Sequence, residues 1–446
     1  MRAYGAGGGS PFRCEELDCD MKVFITTYGS RGDVQPYVAL GNGLRRAGHQ
    51  VTLATSDRFR DFVLENDLSY GYLNDRLLSI VDTDQGKELM ENTTGILQIL
   101  KRTLTMMREV SPLQRSLLEE CWQAARDADP DLIIFHPKSF SGPDIAEKLG
   151  IPALLGLVIP MLIPSSEQPH IGFPKLPLGG WYNRLTYAFV QQLMAFSASR
   201  FVKDWRRRHG LPVQRRFDLL QTTSGKPVPA ICGYSPHVFP SPSDWPEWVK
   251  TTGYWFLDEP TDWQPDKRLL DFLGDGPPPV YVGFGSMSGR QPDRLATIVV
   301  DSLKQANLRG IIATGWGGLR TNSLPDNILR IDSAPHAWLF PRTAAVVHHG
   351  GAGTTAAGLR AGRPTIIVPF FGDQPFWGRQ VYELGVGSKP IPQKKLTTER
   401  LTKALVQVTS DERIKAAARR LGEKIGAEDG VGEAVRFINT RRRPLS

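Results

Sequence analysis

Apolar positions along the chain alternate between short continuous runs and longer stretches in which they recur every three or four residues. The first kind predicts buried strands and the second helices with one apolar face. Residues 22–27 read as a strand, 28–33 as a turn and 34–47 as a helix with Tyr37, Leu40 and Leu44 on one face. Pro36 fits the first turn of that helix and Gly48 its stop. A second strand at 50–55 completes a βαβ unit, which is parallel and right-handed in nearly all sheets. Strand-like runs follow at 131–135 and 153–158, with 86–128 reading mostly as long amphipathic helix. Residues 159–219 break the alternation. They are rich in proline and aromatics (Trp181, Tyr187, Phe189, Phe196, Phe201 and Trp205 among them) and end in Arg206-Arg207-Arg208. Such an insertion either lines a pocket for an apolar ligand or fills the core side of one helix.

The pattern restarts after a Pro- and Trp-dense connector at 236–279. A strand at 280–284, a turn at 285–287 and a helix at 292–306 are followed by strands at 311–313, 328–331, 345–348 and 365–368. Amphipathic helices begin near 398. This predicts an α/β protein of two doubly wound, Rossmann-like halves, with a ligand cleft between the carboxyl ends of their strands. The expected divisions are a leader at 1–20 outside the fold, one domain at 21–256, a linker at 257–278, a second domain at 279–425, and a helix with a basic tail at 426–446.

Composition narrows the picture only modestly. A length of 446 residues calls for more than one core, and 41% hydrophobic with 22% charged residues is that of a globular chain. A net charge of +8 favours anionic partners such as a nucleotide diphosphate, nucleic acid or an acidic lipid surface. Four cysteines make no disulfide scaffold, and Cys14 with Cys19 has no second pair or histidine to complete a zinc pattern. A reducing, cytoplasmic setting is therefore expected. The longest apolar run, 151–164, is broken by Pro152 and Pro160 and is too short to span a bilayer.

The candidate chemistry lies where strands hand over to helices. His348-His349-Gly350-Gly351-Ala352-Gly353-Thr354-Thr355 follows a β-branched run and precedes an Ala-rich helix read as 354–361. Free N–H groups and the positive end of a helix dipole at such a turn suit a phosphate. His349 could donate to a diphosphate oxygen or simply cap carbonyls, whereas His348 points to the opposite side and packs. Asp33 is either a general base or a helix N-cap. Asp373-Gln374 could bind sugar hydroxyls or cap the helix that begins near Pro375. Neither a Gly-x-Gly-x-x-Gly turn after the first strand nor a Gly-Lys-Ser/Thr loop is present, which counts against a dehydrogenase or an NTPase.

Taken together, these stretches resemble a known family. The 348–355 motif with Asp373-Gln374-Pro375 is similar to the donor signature of GT-B nucleotide-sugar glycosyltransferases, and Gly29-Ser30-Arg31-Gly32-Asp33-Val34-Gln35-Pro36 to their acceptor-side motif. Ser235-Pro236-His237-Val238, Asp244-Trp245, Thr252-Gly253-Tyr254-Trp255-Phe256 and the run from Pro278 to Met287 resemble the sterol 3β-glucosyltransferases. The resemblance spans about residues 21–430. It implies inverting, metal-independent transfer of glucose from UDP-glucose to a sterol or similar hydrophobic alcohol, through an oxocarbenium-like transition state.

By that resemblance Asp33 would be the base, with Ser30, Arg31 and Gly32 beside the donor. His349, Gly351, Ala352, Gly353 and Thr354 would hold the diphosphate with Ser286, and Asp373 and Gln374 the hexose. Ser333, Ala334 and His336 would border the nucleotide base, with Trp316 nearby. Plant members carry tryptophan where Ser333 stands, so flat stacking on uracil is not implied there. No cofactor and no nucleic-acid partner is implied. Peripheral contact with a membrane through the aromatic insertion and the arginines would follow from where sterols reside, while Arg441-Arg442-Arg443 reads as a frayed tail. The other readings are a macrolide, glycopeptide or flavonoid glycosyltransferase using a UDP- or dTDP-sugar, a nucleotide-sugar 2-epimerase, and a non-catalytic sensor. The aromatic insertion counts against the epimerase, and the presence of Asp33 against the sensor.

Overall fold

The computed structural model describes residues 21–82, 96–213, 217–257, 263–285, 292–313 and 324–440. The first half runs β1 (Lys22–Thr26), α1 (Arg31–Arg46), β2 (Gln50–Ser56), α2 (Arg60–Leu64), β3 (Ser69–Leu73), α3 (Arg76–Asp82), α4 (Ile96–Ala128) and β4 (Leu132–Phe135). It continues through α5 (Gly142–Leu149), β5 (Ala153–Leu157), α6 (Gly180–Arg208), β6 (Ala230–Cys232) and β7 (Val249–Thr251). The second half holds α7 (Lys267–Gly274), β8 (Val280–Gly283), α8 (Pro292–Gln305), β9 (Gly310–Ala313), β10 (Ile328–Ile331), α9 (His336–Leu339) and β11 (Ala345–His348). After it come α10 (Ala352–Arg360), β12 (Thr365–Ile367), α11 (Gln374–Glu383), α12 (Thr398–Ser410), α13 (Glu412–Gly426) and α14 (Gly430–Asn439).

The strands form two wholly parallel sheets, ordered β3-β2-β1-β4-β5-β6-β7 and β10-β9-β8-β11-β12. Helices cover both faces, so central strands such as Leu-Ile-Ile-Phe of β4 and Ala-Val-Val-His of β11 are buried throughout. The chain reverses direction across the first sheet between β1 and β4, and across the second between β8 and β11. Crevices open at the carboxyl ends of the strands at these switch points. Thr26 pairs with Phe135 at the first, and His348 with Gly283 at the second.

The halves touch along α11. Phe376 packs on Phe239 with ring centroids 5.8 Å apart, Gln380 donates to the Val238 carbonyl at 2.9 Å, and Lys175 pairs with Glu383 at 2.7 Å. The last helix, α14, returns to the first half, where Ala434, Val435 and Ile438 share a core with Val34, Val38 and Leu44.

Several expectations need correction. Helix α1 begins at Arg31, not Val34, so Asp33 lies in its first turn and Pro36 inside it. Helix α10 begins at Ala352, two residues before the expected start. Three strands escaped the pattern: β3, β6 and β7 are only three to five residues long and gain their strand character from their neighbours in the sheet. The stretch expected to link the halves, 257–278, contains α7, whose Leu269 is buried beside Ile311 and Phe340.

The basic run also divides. Arg206 is fully buried, paired with Asp144 and with Glu147 at 2.9 Å, and donates to the Pro212 carbonyl at 2.7 Å. It holds α6 to α5 and cannot reach a lipid surface. Arg207 and Arg208 are exposed and pair with Asp204 and Glu119. The aromatics divide in the same way: Tyr187, Phe201 and Trp205 are buried, while Trp181, Phe189 and Phe196 face solvent. Residues 1–20 and Arg441-Arg442-Arg443 lie outside the described residues.

Candidate active site

At the first switch point Ser30 caps α1 and Asp33 sits three residues on, only 7% exposed. Asp33 is therefore not the N-cap itself. Its Oδ2 accepts the Ser30 N–H at 2.8 Å and the Ser30 hydroxyl at 3.0 Å. Gly29 is required here: its φ is +148°, and a Cβ would fall 2.2 Å from Asp33 Oδ2.

Two residues that sequence reasoning missed complete the group. The loop after β4 brings the Lys138 ammonium to 2.8 Å from both Asp33 oxygens, and His136 Nε2 to 3.5 Å from Oδ1. Burial pushes the His136 imidazole down to about 4, so the ring is neutral at physiological pH. Its Nδ1 accepts the Lys138 N–H at 3.1 Å, which leaves the ring proton on Nε2, facing Asp33. Burial by itself would raise the Asp33 carboxyl. The charge of Lys138, with His136 and the Ser30 hydrogen bond, outweighs it and holds the group below the usual carboxylate range.

At the second switch point Gly351 caps α10, and the N–H groups of Ala352, Gly353 and Thr354 begin the helix without intrahelical partners. His349 stands beside them. Burial pushes its imidazole down to about 4, and its Nδ1 is buried without a protein hydrogen-bond partner. A Cβ on Gly351 would lie 2.6 Å from His349 Nε2, so glycine lets ring and helix start come together. His348 is fully buried and its Nδ1 accepts the Gly350 N–H at 3.0 Å, in keeping with its expected packing role.

Asp373 stands at the N-cap position of α11 without a side-chain cap hydrogen bond, and its Oδ2 accepts the Trp377 indole N–H at 2.7 Å. Burial raises its carboxyl, and it feels the charges of Asp33 and Lys138 from the opposite half. The Gln374 side-chain oxygen is committed to the N–H groups of Phe370 at 2.7 Å and Phe371 at 3.2 Å, leaving only its amide nitrogen for a ligand. His336 stacks on Phe340 at 4.4 Å and feels the charges of Arg31 and His349. Arg31 and Gly32 are exposed at the start of α1; Ser333 is exposed and Ala334 half-buried just before α9. Ser286 and Trp316 lie outside the described residues.

Comparison with known proteins places the chain by family and fold. Residues 23–162 match the glycosyltransferase family 28 N-terminal domain, and 301–438 the erythromycin biosynthesis protein CIII-like C-terminal domain. Among solved structures, the glycosyltransferase of kitacinnamycin superposes with a TM-score of 0.70 at 19% identity, covering 94% of this chain and 99% of that one. The calicheamicin glycosyltransferase CalG4 gives 0.67 at 18%, covering 94% and 98%. The Arabidopsis thaliana sterol 3-beta-glucosyltransferase UGT80B1 is 35% identical over 422 residues, covering 93% of this chain and 67% of that protein. The chain belongs to the sterol 3-beta-glucosyltransferase family of GT-B glycosyltransferases.

Other family members are matched over smaller shares of their own length. Arabidopsis UGT80A2 is 37% identical over 424 residues, covering 93% of this chain. The Emericella nidulans sterol 3-beta-glucosyltransferase is 39% identical over 434 residues, covering 94%. This GT-B chain spans 65% of the former and 30% of the latter. His136 and Lys138 had a signal in the sequence after all: they follow a strand-like run. Only the strand order, which sets β4 against β1, puts them on Asp33.

Proposed function

We propose that the chain transfers glucose from UDP-glucose to the hydroxyl of a sterol, with inversion at the anomeric carbon. One observation carries the reading: a buried carboxylate held below its usual range stands at one switch point, a helix start with a buried, unpartnered histidine nitrogen stands at the other, and Asp33 is near enough to Asp373 of the second half to act on it. Asp33 takes the proton of the acceptor hydroxyl as its oxygen bonds to the anomeric carbon. The bond from that carbon to the diphosphate oxygen breaks, and UDP leaves with the electron pair. The N–H groups opening α10, and a neutral His349 donating from its unpartnered side, stabilise that charge. In this reading Asp373 and the Gln374 amide hold hexose hydroxyls. The charge is met by backbone dipoles and His349, so the proposal needs no metal.

The sterol assignment rests on the activity for which the similar family members are named. Donor binding is supported in kind by two fold neighbours, VinC and SsfS6, which were solved with thymidine diphosphate. A donor-by-acceptor screen by mass spectrometry, setting UDP-, dTDP- and GDP-sugars against sterols, flavonoids and macrolides, tests the assignment. A sterol hexoside from UDP-glucose supports it, and transfer to macrolides or flavonoids alone overturns it.

Peripheral membrane contact is part of the same proposal. Among the described residues no helix is long and apolar enough to cross a membrane. The outer face of α6, however, exposes Trp181, Leu185, Phe189 and Phe196, with exposed Arg200 and Arg207 following. That pairing suits an anionic lipid surface. Replacing Trp181 and Phe189 together with serine should cut sedimentation with anionic vesicles several-fold; unchanged sedimentation would refute this face as the contact.

A further inference from the structure

Both Asp33 oxygens are already engaged by protein donors. They receive the Ser30 N–H, the Ser30 hydroxyl and a two-point contact from Lys138, with His136 approaching Oδ1. Ser30 N–H belongs to the helix cap, and His136 is 3% exposed and wedged edge-on against Tyr37 at 5.7 Å. Neither can leave without unpicking the core. Lys138 differs from both: its side chain is 57% exposed, on a flexible four-carbon stem. It also borders a small apolar recess lined by Leu73, Leu117, Leu118, Phe140 and Phe201.

We propose that Lys138 is a removable plug on the general base: its ammonium occupies the acceptor-hydroxyl position on Asp33 and swings away when the acceptor docks. This makes Lys138 a positioning residue that acts through Asp33, and it rests on the reading of Asp33 as the base. In the acceptor-free enzyme the plug keeps the carboxylate ionised yet unable to activate a stray water against the donor. Displacement frees a position on each oxygen and removes the cation that depresses the carboxylate's basicity, so the base becomes stronger only when there is a hydroxyl to deprotonate. No covalent step is added. The proton still passes from the acceptor oxygen to Asp33, and UDP still leaves with the electron pair.

The two kinetic pH profiles separate this from a static ion pair, because the acid limb of kcat/KM for the acceptor reports the acceptor-free enzyme and that of kcat the bound complex. In the wild type the kcat limb should lie at higher pH than the kcat/KM limb. Lys138→Met should raise the kcat/KM limb by about one to three pH units, the usual effect of losing an adjacent opposite charge, and leave the kcat limb in place. It should also increase acceptor-independent release of glucose from UDP-glucose. Lys138→Gln serves as a second variant should the methionine fold poorly, and Lys138→Arg should restore the wild-type kcat/KM limb. If both limbs shift equally, or neither shifts, the lysine does not leave and the inference is overturned. Asp33→Asn is assayed alongside: its inactivity keeps the reading of the base standing even where the lysine inference fails, and its activity would remove that reading first.

Discussion

Replacing Asp33 with asparagine separates proton abstraction from every other property of the site. The amide matches the carboxylate in shape and retains one oxygen for the Ser30 N–H, now 2.8 Å away. It loses the charge that Lys138 contacts at 2.8 Å twice over, and its NH2 turns a donor towards that donor. Losing a hydrogen bond to a charged group costs about 1.5–3 kcal/mol, partly offset because a buried charge no longer needs compensation. A modest fall in melting temperature is expected, and no unfolding. Catalysis should suffer far more. A general base contributes about 10²–10⁴-fold, equivalent to about 3–5 kcal/mol of barrier. None of the groups at the start of α10 is touched, so UDP affinity by calorimetry should stay within about threefold of wild type. Turnover within tenfold of wild type, in a variant that binds UDP normally, would refute the role of Asp33.

The remaining expectations come from other parts of the structure. His349→Ala should weaken UDP binding by about 10- to 100-fold, the value of one hydrogen bond to a charged group, and Gly351→Ala should do likewise because its methyl would displace the His349 ring; unchanged calorimetric affinity in both would remove His349 from the donor site. Arg206→Met should destabilise the fold by about 3–5 kcal/mol in denaturant titration, since it strands the buried Asp144 carboxylate, while vesicle binding stays as in wild type; a loss under 1 kcal/mol would contradict the structural role given to Arg206. Stability should fall as pH drops from about 6.5 towards 4. His136, His170, His336 and His349 are all pushed down to about 4 by burial, so the unfolded chain takes up protons that the folded chain refuses, by at most about 1.4 kcal/mol per group per pH unit. A melting temperature that is flat between pH 7 and 5 would count against burial of those rings. Asp33 acts at lower pH: its depressed carboxyl contributes stability above its ordinary value, and that contribution is lost only as pH falls through the lowered one.

Much of the fold could be read from periodicity because parallel strands covered on both faces are continuous apolar runs. β1, β4, β8, β10 and β11 fell within a residue or two of their expected limits. The strands that escaped are the short ones near or at the sheet edges, where β6 and β7 contribute three residues each and no period can be counted. Charge patterning misled at Arg206, because a run of three arginines looks alike whether one of them faces inward or not. At the candidate site, Asp33, His349 and Asp373 stood out in the sequence because each lies where a strand hands over to a helix. Lys138 and His136 were not, because their partner lies 105 and 103 residues earlier in the chain and only the β1–β4 pairing joins them. Gln374 was recognised as a polar residue in the right turn, but not that its oxygen is already bound to the Phe370 and Phe371 N–H groups.

Glucosyl transfer itself is tested most directly by following one product. The full chain is incubated with UDP-glucose, labelled with carbon-13 at the anomeric position, and a sterol presented in anionic vesicles; the lipid extract is then read by mass spectrometry and NMR. The expected product is a monoglucosylated sterol whose labelled carbon has the β configuration, formed by wild type and reduced about 10²–10⁴-fold in Asp33→Asn. An α-glucoside, or a sterol glucoside formed equally well by the variant, would contradict inversion through Asp33.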